Sequence, residues 1–159
     1  VTDLRLTVYG HPEPKGSTKA FLPKGWKRPI VTSDNAKGKP WAQQITRAAM
    51  HAIAKANEGV IIEPTDREIP IAIYLHFFLA RPASASKRIH YQTKKPDWDK
   101  LCRLVADSLT GVAFVDDSQI CRAVIAKDFG QPERVEILVR SVEEIAVNQE
   151  RELQLVLNL

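Results

Sequence analysis

Cysteine is scarce in this chain: Cys102 and Cys121 are the only two in 159 residues. That number and spacing make neither a disulfide framework nor a metal knuckle. Both read as small core residues, and a reducing cytoplasm is the expected compartment. Long apolar runs are also missing. None approaches the ~20 residues of a membrane span, so no membrane partner is expected. The amino terminus carries no secretory signal pattern. It also lacks Met, which points to processing or trimming upstream. Histidine is thin too. His11, His51 and His90 are scattered without ligand spacing, and His76 falls inside an apolar strand, where packing or a hydrogen bond is expected. No internal repeat is present.

What remains is a chain that is 44% hydrophobic and 26% charged, with a formal net charge of +4. Those proportions fit one globular domain with a sizeable core. The placement of the charge says more than its sum. Between residues 81 and 95 every charged side chain is basic: Arg81, Lys87, Arg88, Lys94 and Lys95. An earlier stretch adds Lys15, Lys19, Lys24, Lys27 and Arg28, while the tail is acidic at Glu143, Glu144, Glu150 and Glu152. Clustered cations either cover a phosphate backbone or form an ordinary solvated face.

Periodicity predicts the elements. Leu4–Tyr9 alternates as a strand. The Pro- and Gly-rich segment from Gly10 to Pro40 argues for a long irregular loop. "WAQQITRAAMHAIAKA" reads as a helix with Pro40 at its first position. Ile69–Ala80 is apolar on both faces, as a central strand is. A helix follows from Pro96 to Thr110, with Gly111 to stop it. "SQICRAVIAKDF" and "RVEILVRSV" read as strands joined by a turn at Gly130-Gln131-Pro132. The order β-α-β-α-β-β predicts an α+β domain over residues 1–143, with a mixed sheet and its helices packed on one side. Residues 144–159 form a C-terminal extension, a helix or a mobile tail.

The chemistry concentrates in "KKPDWDKLCRLVADSLTGVAFVDDSQI", Lys94 to Ile120. Asp97 and Asp99 fall in the first turn of the second helix, where carboxylates commonly cap free N–H groups. Leu101, Leu104, Val105 and Ser108 form the inward stripe, while Asp99, Arg103 and Asp107 step along another face. Trp98 is expected to pack and fix the helix start. Asp116 and Asp117 stand just before the next strand. A chain that returns beside the helix start would gather three or four carboxylates, whose mutual repulsion calls for a cation. Hard divalent ions take such oxygen ligands, and carboxylates with a metal beside a basic surface suit phosphodiester chemistry.

The same residues resemble the signature of the RusA family of Holliday junction resolvases. That signature runs Pro-Asp-x-Asp-[Asn/Lys], a helix ending Asp-[Ala/Ser]-Leu, a short turn, then Asp-Asp-[Ser/Ala]-Gln-[Val/Ile]. The "PEPKG" loop and the order of the other elements agree with it. The resemblance implies a RusA-like fold in a small dimeric endonuclease of bacteria or their phages, cutting four-way DNA junctions with Mg²⁺ or Mn²⁺. It places the metal-binding acids on Asp97, Asp99 and Asp117, with Asp116 a fourth ligand or a neighbouring group, and it leaves Asp107 a structural part. Two positions depart from the best-known members. Lys100 stands where they have Asn, and Arg103 where they have a catalytic Lys. Arg103 can hold a phosphate but is a poor proton carrier, and Lys100 is the other amine at hand. Lys15, Lys19, Arg81, Lys87, Arg88, Lys94, Lys95 and Lys100 are the expected DNA contacts.

Two other classes share parts of this pattern. D-x-D occurs in aspartyl phosphotransferases, which usually carry Thr or Val where this chain has Leu101, and in sugar-nucleotide transferases, which usually need a larger fold. A non-catalytic branched-DNA-binding module would keep the basic surface without needing the acids.

Overall fold

The computed structural model describes residues 3–57, 66–86, 88 and 91–142. The chain runs β1 (Asp3–Tyr9), β2 (Thr18–Phe21), β3 (Ile30–Ser33), α1 (Gly38–Ala56), β4 (Ile71–Leu79), α2 (Trp98–Leu109), β5 (Ile120–Phe129) and β6 (Arg134–Ser141). A single 3₁₀ turn, Asp117–Gln119, leads into β5. The main sheet has the order β1-β6-β4-β5. β6 is antiparallel to both β1 and β4, and β5 is parallel to β4. This is the expected α+β domain with a mixed sheet. The expected C-terminal extension lies outside the described residues.

β4 is central because both of its faces are apolar. Ile71, Ile73, Leu75, Phe77 and Leu79 are buried, and Tyr74, His76 and Phe78 on the other face are half-buried. The first row meets Leu4 and Val8 of β1, Val135, Ile137 and Val139 of β6, and the inner stripes of the two helices. Trp41, Ile45, Ala49 and Ile53 supply that stripe on α1; Leu101, Leu104, Val105 and Leu109 supply it on α2. Phe77, Phe114, Leu101 and Leu109 are fully enclosed. Burying each such side chain contributes about 1.5–3 kcal/mol. Both helices thus lie on one side of the sheet, as their single apolar stripes require.

Three local features depart from expectation. The segment between β1 and α1 is not wholly irregular: β2 and β3 form an antiparallel hairpin separate from the main sheet. Only four residues of each strand pair, too few for periodicity to reveal among so many Pro and Gly residues. α1 begins at Gly38, so Pro40 is its third residue rather than its first; Pro is tolerated there because the first-turn N–H groups have no partner within the helix. The β5–β6 turn falls where expected but makes no hairpin, since β4 lies between the two strands. After α2, Gly111 takes φ +73°, the left-handed conformation that ends helices cheaply only at glycine.

Candidate active site

β4, α2 and β5 form a parallel β-α-β unit. The amino end of α2 therefore sits at the carboxyl end of the strands. Lys127 of β5 fixes it there: its Nζ donates to the carbonyls of Lys94 (2.7 Å) and Pro96 (2.9 Å). Nothing in the local motif announces Lys127, because its partners are backbone atoms more than thirty residues away. A cation directly after the apolar run Ala123–Ala126 was the available signal.

At this end Asp97, Trp98 and Asp99 are exposed. Asp97 occupies the position before the helix, yet its carboxylate makes no capping hydrogen bond. Its partner is the Lys100 ammonium at 3.8 Å. The ordinary use of such an acid, tying down the first N–H groups, is thus not made here. Trp98 does not pack as expected: it is 59% exposed. Cys102 sits just behind. Burial, and next the Asp99 carboxylate, push its thiol up to about 11, so it is inert rather than nucleophilic.

Arg103 lies one turn beyond Asp99 and is exposed. Asp107, a further turn on, pairs with Lys15 rather than with Arg103 or backbone. The backbone N–H of Lys15 also donates to the Lys100 carbonyl at 2.9 Å. The "PKG" loop is in this way laid along the charged face of α2, and the Lys15 ammonium is engaged by a carboxylate. From that loop the β2–β3 hairpin extends, carrying Lys19, Lys24, Lys27 and Arg28 with Phe21, Leu22 and Trp26, each of these three at least half exposed. Cations beside bare aromatic rings suit phosphates and unstacked bases. In the second basic segment, the Arg81 guanidinium lies 4.4 Å from the Phe129 ring centre and donates to the Ser86 carbonyl. Arg88, Lys94 and Lys95 are exposed. Lys87 falls outside the described residues.

Asp116 and Asp117 lie at the other end of the unit. The Asp116 carboxylate accepts from the Ser118 N–H at 3.0 Å and stands 3.7 Å from the Arg67 guanidinium. Those hydrogen bonds first, and Arg67 after them, hold its carboxyl below the ordinary range. Gln119 makes the reciprocal half of the cap. Its buried amide accepts from the N–H groups of Val115 (2.8 Å) and Asp116 (3.0 Å) and donates to the carbonyls of Asp66 (2.7 Å) and Ile69 (2.9 Å). The Gln of the Asp-Asp-Ser-Gln run is therefore a brace that holds the turn presenting Asp117, which is itself exposed.

The acids thus form two groups rather than one. Twelve residues of α2 span about 18 Å, and the seven steps of β5 from Ile120 to Lys127 span roughly 23 Å. Asp97 and Asp99 stand at one end of that distance, Asp116 and Asp117 at the other. Among the described residues no three His, Cys, Asp or Glu side chains converge as a metal site. Within one chain the described acids therefore do not gather around the divalent ion that the sequence led us to expect.

The fold is α+β with a mixed sheet, and it sets paired acids at a helix start flanked by basic loops. A family model described as "Endodeoxyribonuclease RusA" matches residues 14–140, and the chain belongs to that family. The "Uncharacterized protein YqaN" of Bacillus subtilis (strain 168) is 27% identical over 143 residues, covering 87% of this chain and 96% of its own length. No helix among the described residues is long and apolar enough to cross a membrane.

Proposed function

We propose that this protein is a metal-dependent, structure-specific endodeoxyribonuclease that resolves four-way DNA junctions by paired nicks, acting in recombination and repair or in phage DNA processing in the bacterial cytoplasm. One observation carries the reading. The family match runs through the acidic motif, and Asp97 and Asp99 stand exposed at the helix start with neither side chain used as a cap. Arg103 holds the scissile phosphate with two parallel N–H donors. Lys19, Lys94, Lys95 and the other exposed cations grip the junction arms through their phosphates. Mg²⁺, with Mn²⁺ able to replace it, belongs to this reading, and so does a homodimer, because opposed strands need two equivalent sites.

The test is a labelled four-way junction incubated with Mg²⁺ and with a chelator. Paired nicks are expected only with the metal. Asp97→Asn, Asp99→Asn and Asp117→Asn should each abolish nicking while keeping or tightening junction binding, since each removes negative charge beside phosphate. Junction binding without any nicking would identify a non-catalytic module instead. Full activity in Asp97→Asn would sink the assignment of the acids.

A further inference from the structure

Two large aromatic residues beside Asp97 and Asp99 have no part in the chemistry described so far. Tyr91 is 69% exposed and Trp98 59%. A lone exposed ring is ordinary on a protein surface. These two stand on one short strap, residues 91–99, that also carries Lys94, Lys95, Asp97 and Asp99, all exposed. The strap is braced along its length. Tyr91 bridges Asp128 of β5 in the antiparallel sense. Lys127 Nζ holds the carbonyls of Lys94 and Pro96, and Trp98 opens α2. The backbone is thus fixed while the aromatic and cationic residues face water.

Tyr91 also borders a cleft of about 840 Å³ on the sheet face away from α1 and α2, with Tyr74, His76, Val124, Ala126 and Leu138. Both carboxylates that line it are engaged. Asp128 is hydrogen-bonded to His76 Nε2 at 2.8 Å, and Glu136 accepts from Arg134 Nε at 2.8 Å. Aromatic and aliphatic walls of this kind suit a flat, neutral ring. Bases within a duplex are stacked on one another and offer no free face. Bases of an unpaired strand do, and aromatic side chains set among cations are the usual platform for them.

We propose that the strap binds an unpaired DNA strand. One base stacks on Trp98 and another on Tyr91 at the mouth of the cleft, while Lys94 and Lys95 take the phosphates between them. The strand is thereby led past Asp97 and Asp99. The binding stands by itself, and its link to cleavage rests on the endonuclease reading. The substrate class that follows is branched DNA with unpaired nucleotides at the branch, in preference to fully paired arms.

The test is fluorescence anisotropy with a labelled oligothymidylate, in chelator so that nothing is cut. A matching oligomer of abasic sugars keeps the phosphates and lacks the bases. Tyr91→Ala and Trp98→Ala should each weaken oligothymidylate binding by about five- to a hundredfold, the worth of one stacked base, and leave the abasic oligomer unaffected. Tyr91→Phe and Trp98→Phe keep a ring and should bind as the wild type does. Lys94→Ala with Lys95→Ala should weaken both oligomers alike, because phosphate contacts carry no base information. Wild-type Tm and assembly state by light scattering are expected throughout. A Trp98→Ala chain with altered assembly would make Trp98 an interface residue and overturn its role here. A wild type that does not bind the oligothymidylate, or alanine variants that lose nothing or lose equally on both oligomers, would overturn the stacking. A loss confined to Phe21→Ala and Trp26→Ala would move the strand to the β2–β3 hairpin and overturn the strap. With Mg²⁺, a junction with unpaired nucleotides at its branch should be nicked faster than a fully paired one, and Tyr91→Ala/Trp98→Ala should abolish that preference. If the wild type nicks neither junction while the oligomer results hold, the endonuclease reading fails and the single-strand site stands. Nicking without base-dependent binding sinks the single-strand site alone.

Discussion

Replacing Gln119 should be the most damaging single polar change near the site. Its side chain is almost fully enclosed and satisfies four backbone groups on two separate segments. Gln119→Leu keeps the volume and removes all four bonds. At about 1 kcal/mol net for each, the loss is about 4 kcal/mol. Asp66 is exposed, so its carbonyl regains water and the figure falls to about 3 kcal/mol. For a domain of this size that lowers Tm by roughly 6–12 °C. Gln119→Glu keeps the acceptor for Val115 and Asp116 but turns the second oxygen toward the Asp66 and Ile69 carbonyls. That environment favours the protonated acid, so the carboxyl of this variant has its pKa raised in the folded state. A raised folded pKa contributes stability that is present at low pH and lost as pH rises. Relative to wild type at the same pH, the Gln119→Glu deficit should therefore shrink as pH falls toward ~4.3, the free glutamate value, and level off below it. Differential scanning fluorimetry from pH 4 to 8 reads both effects. A Tm loss under ~2 °C for Gln119→Leu, or a Gln119→Glu deficit that grows on acidification, would refute the brace.

Asp116→Asn should keep the turn, since Asn accepts the Ser118 N–H as Asp does. Asp116→Ala should loosen it and lower nicking more than Asp116→Asn, and the reverse order would show the carboxylate acting as more than a cap. Because the Asp116 carboxyl is held low in the folded chain, its stabilising effect is present above the ordinary Asp range and is lost as pH falls below it; the Tm difference between wild type and Asp116→Ala should vanish in acid. Lys127→Met should release the segment before Asp97, lowering the nicking rate while the junction Kd changes little, and an unchanged rate would remove Lys127 from the positioning of the acids. Lys19→Ala with Lys24→Ala should weaken binding to junctions of any sequence and flatten log affinity against log salt by about one unit for each phosphate no longer neutralised. An unchanged slope, read by fluorescence anisotropy, would take the hairpin off the DNA.

The α+β class, the central strand, both helices and the residues of the acidic motif were legible in the sequence. Those are properties of period and of local chemistry: Ile71–Leu79 is apolar on both faces, and Leu101, Leu104, Val105 and Leu109 recur at helical spacing whatever surrounds them. The sequence could not show that Asp97 leaves its cap unmade while Asp116 makes one, because the same residue type serves both uses and only the backbone around it chooses. Nor could it show Gln119 reaching Asp66 and Ile69, or Lys127 holding the carbonyls before Asp97, since those partners lie about fifty and thirty residues away and carry no side-chain signature. The decisive matter was direction. A motif of 27 residues from Lys94 to Ile120 looks contiguous, but β5 runs parallel to β4. A parallel pair needs a crossover that carries the chain back the full length of the strands. Tertiary structure alone therefore placed the two ends of that motif at opposite ends of the sheet and left β5 on its open edge.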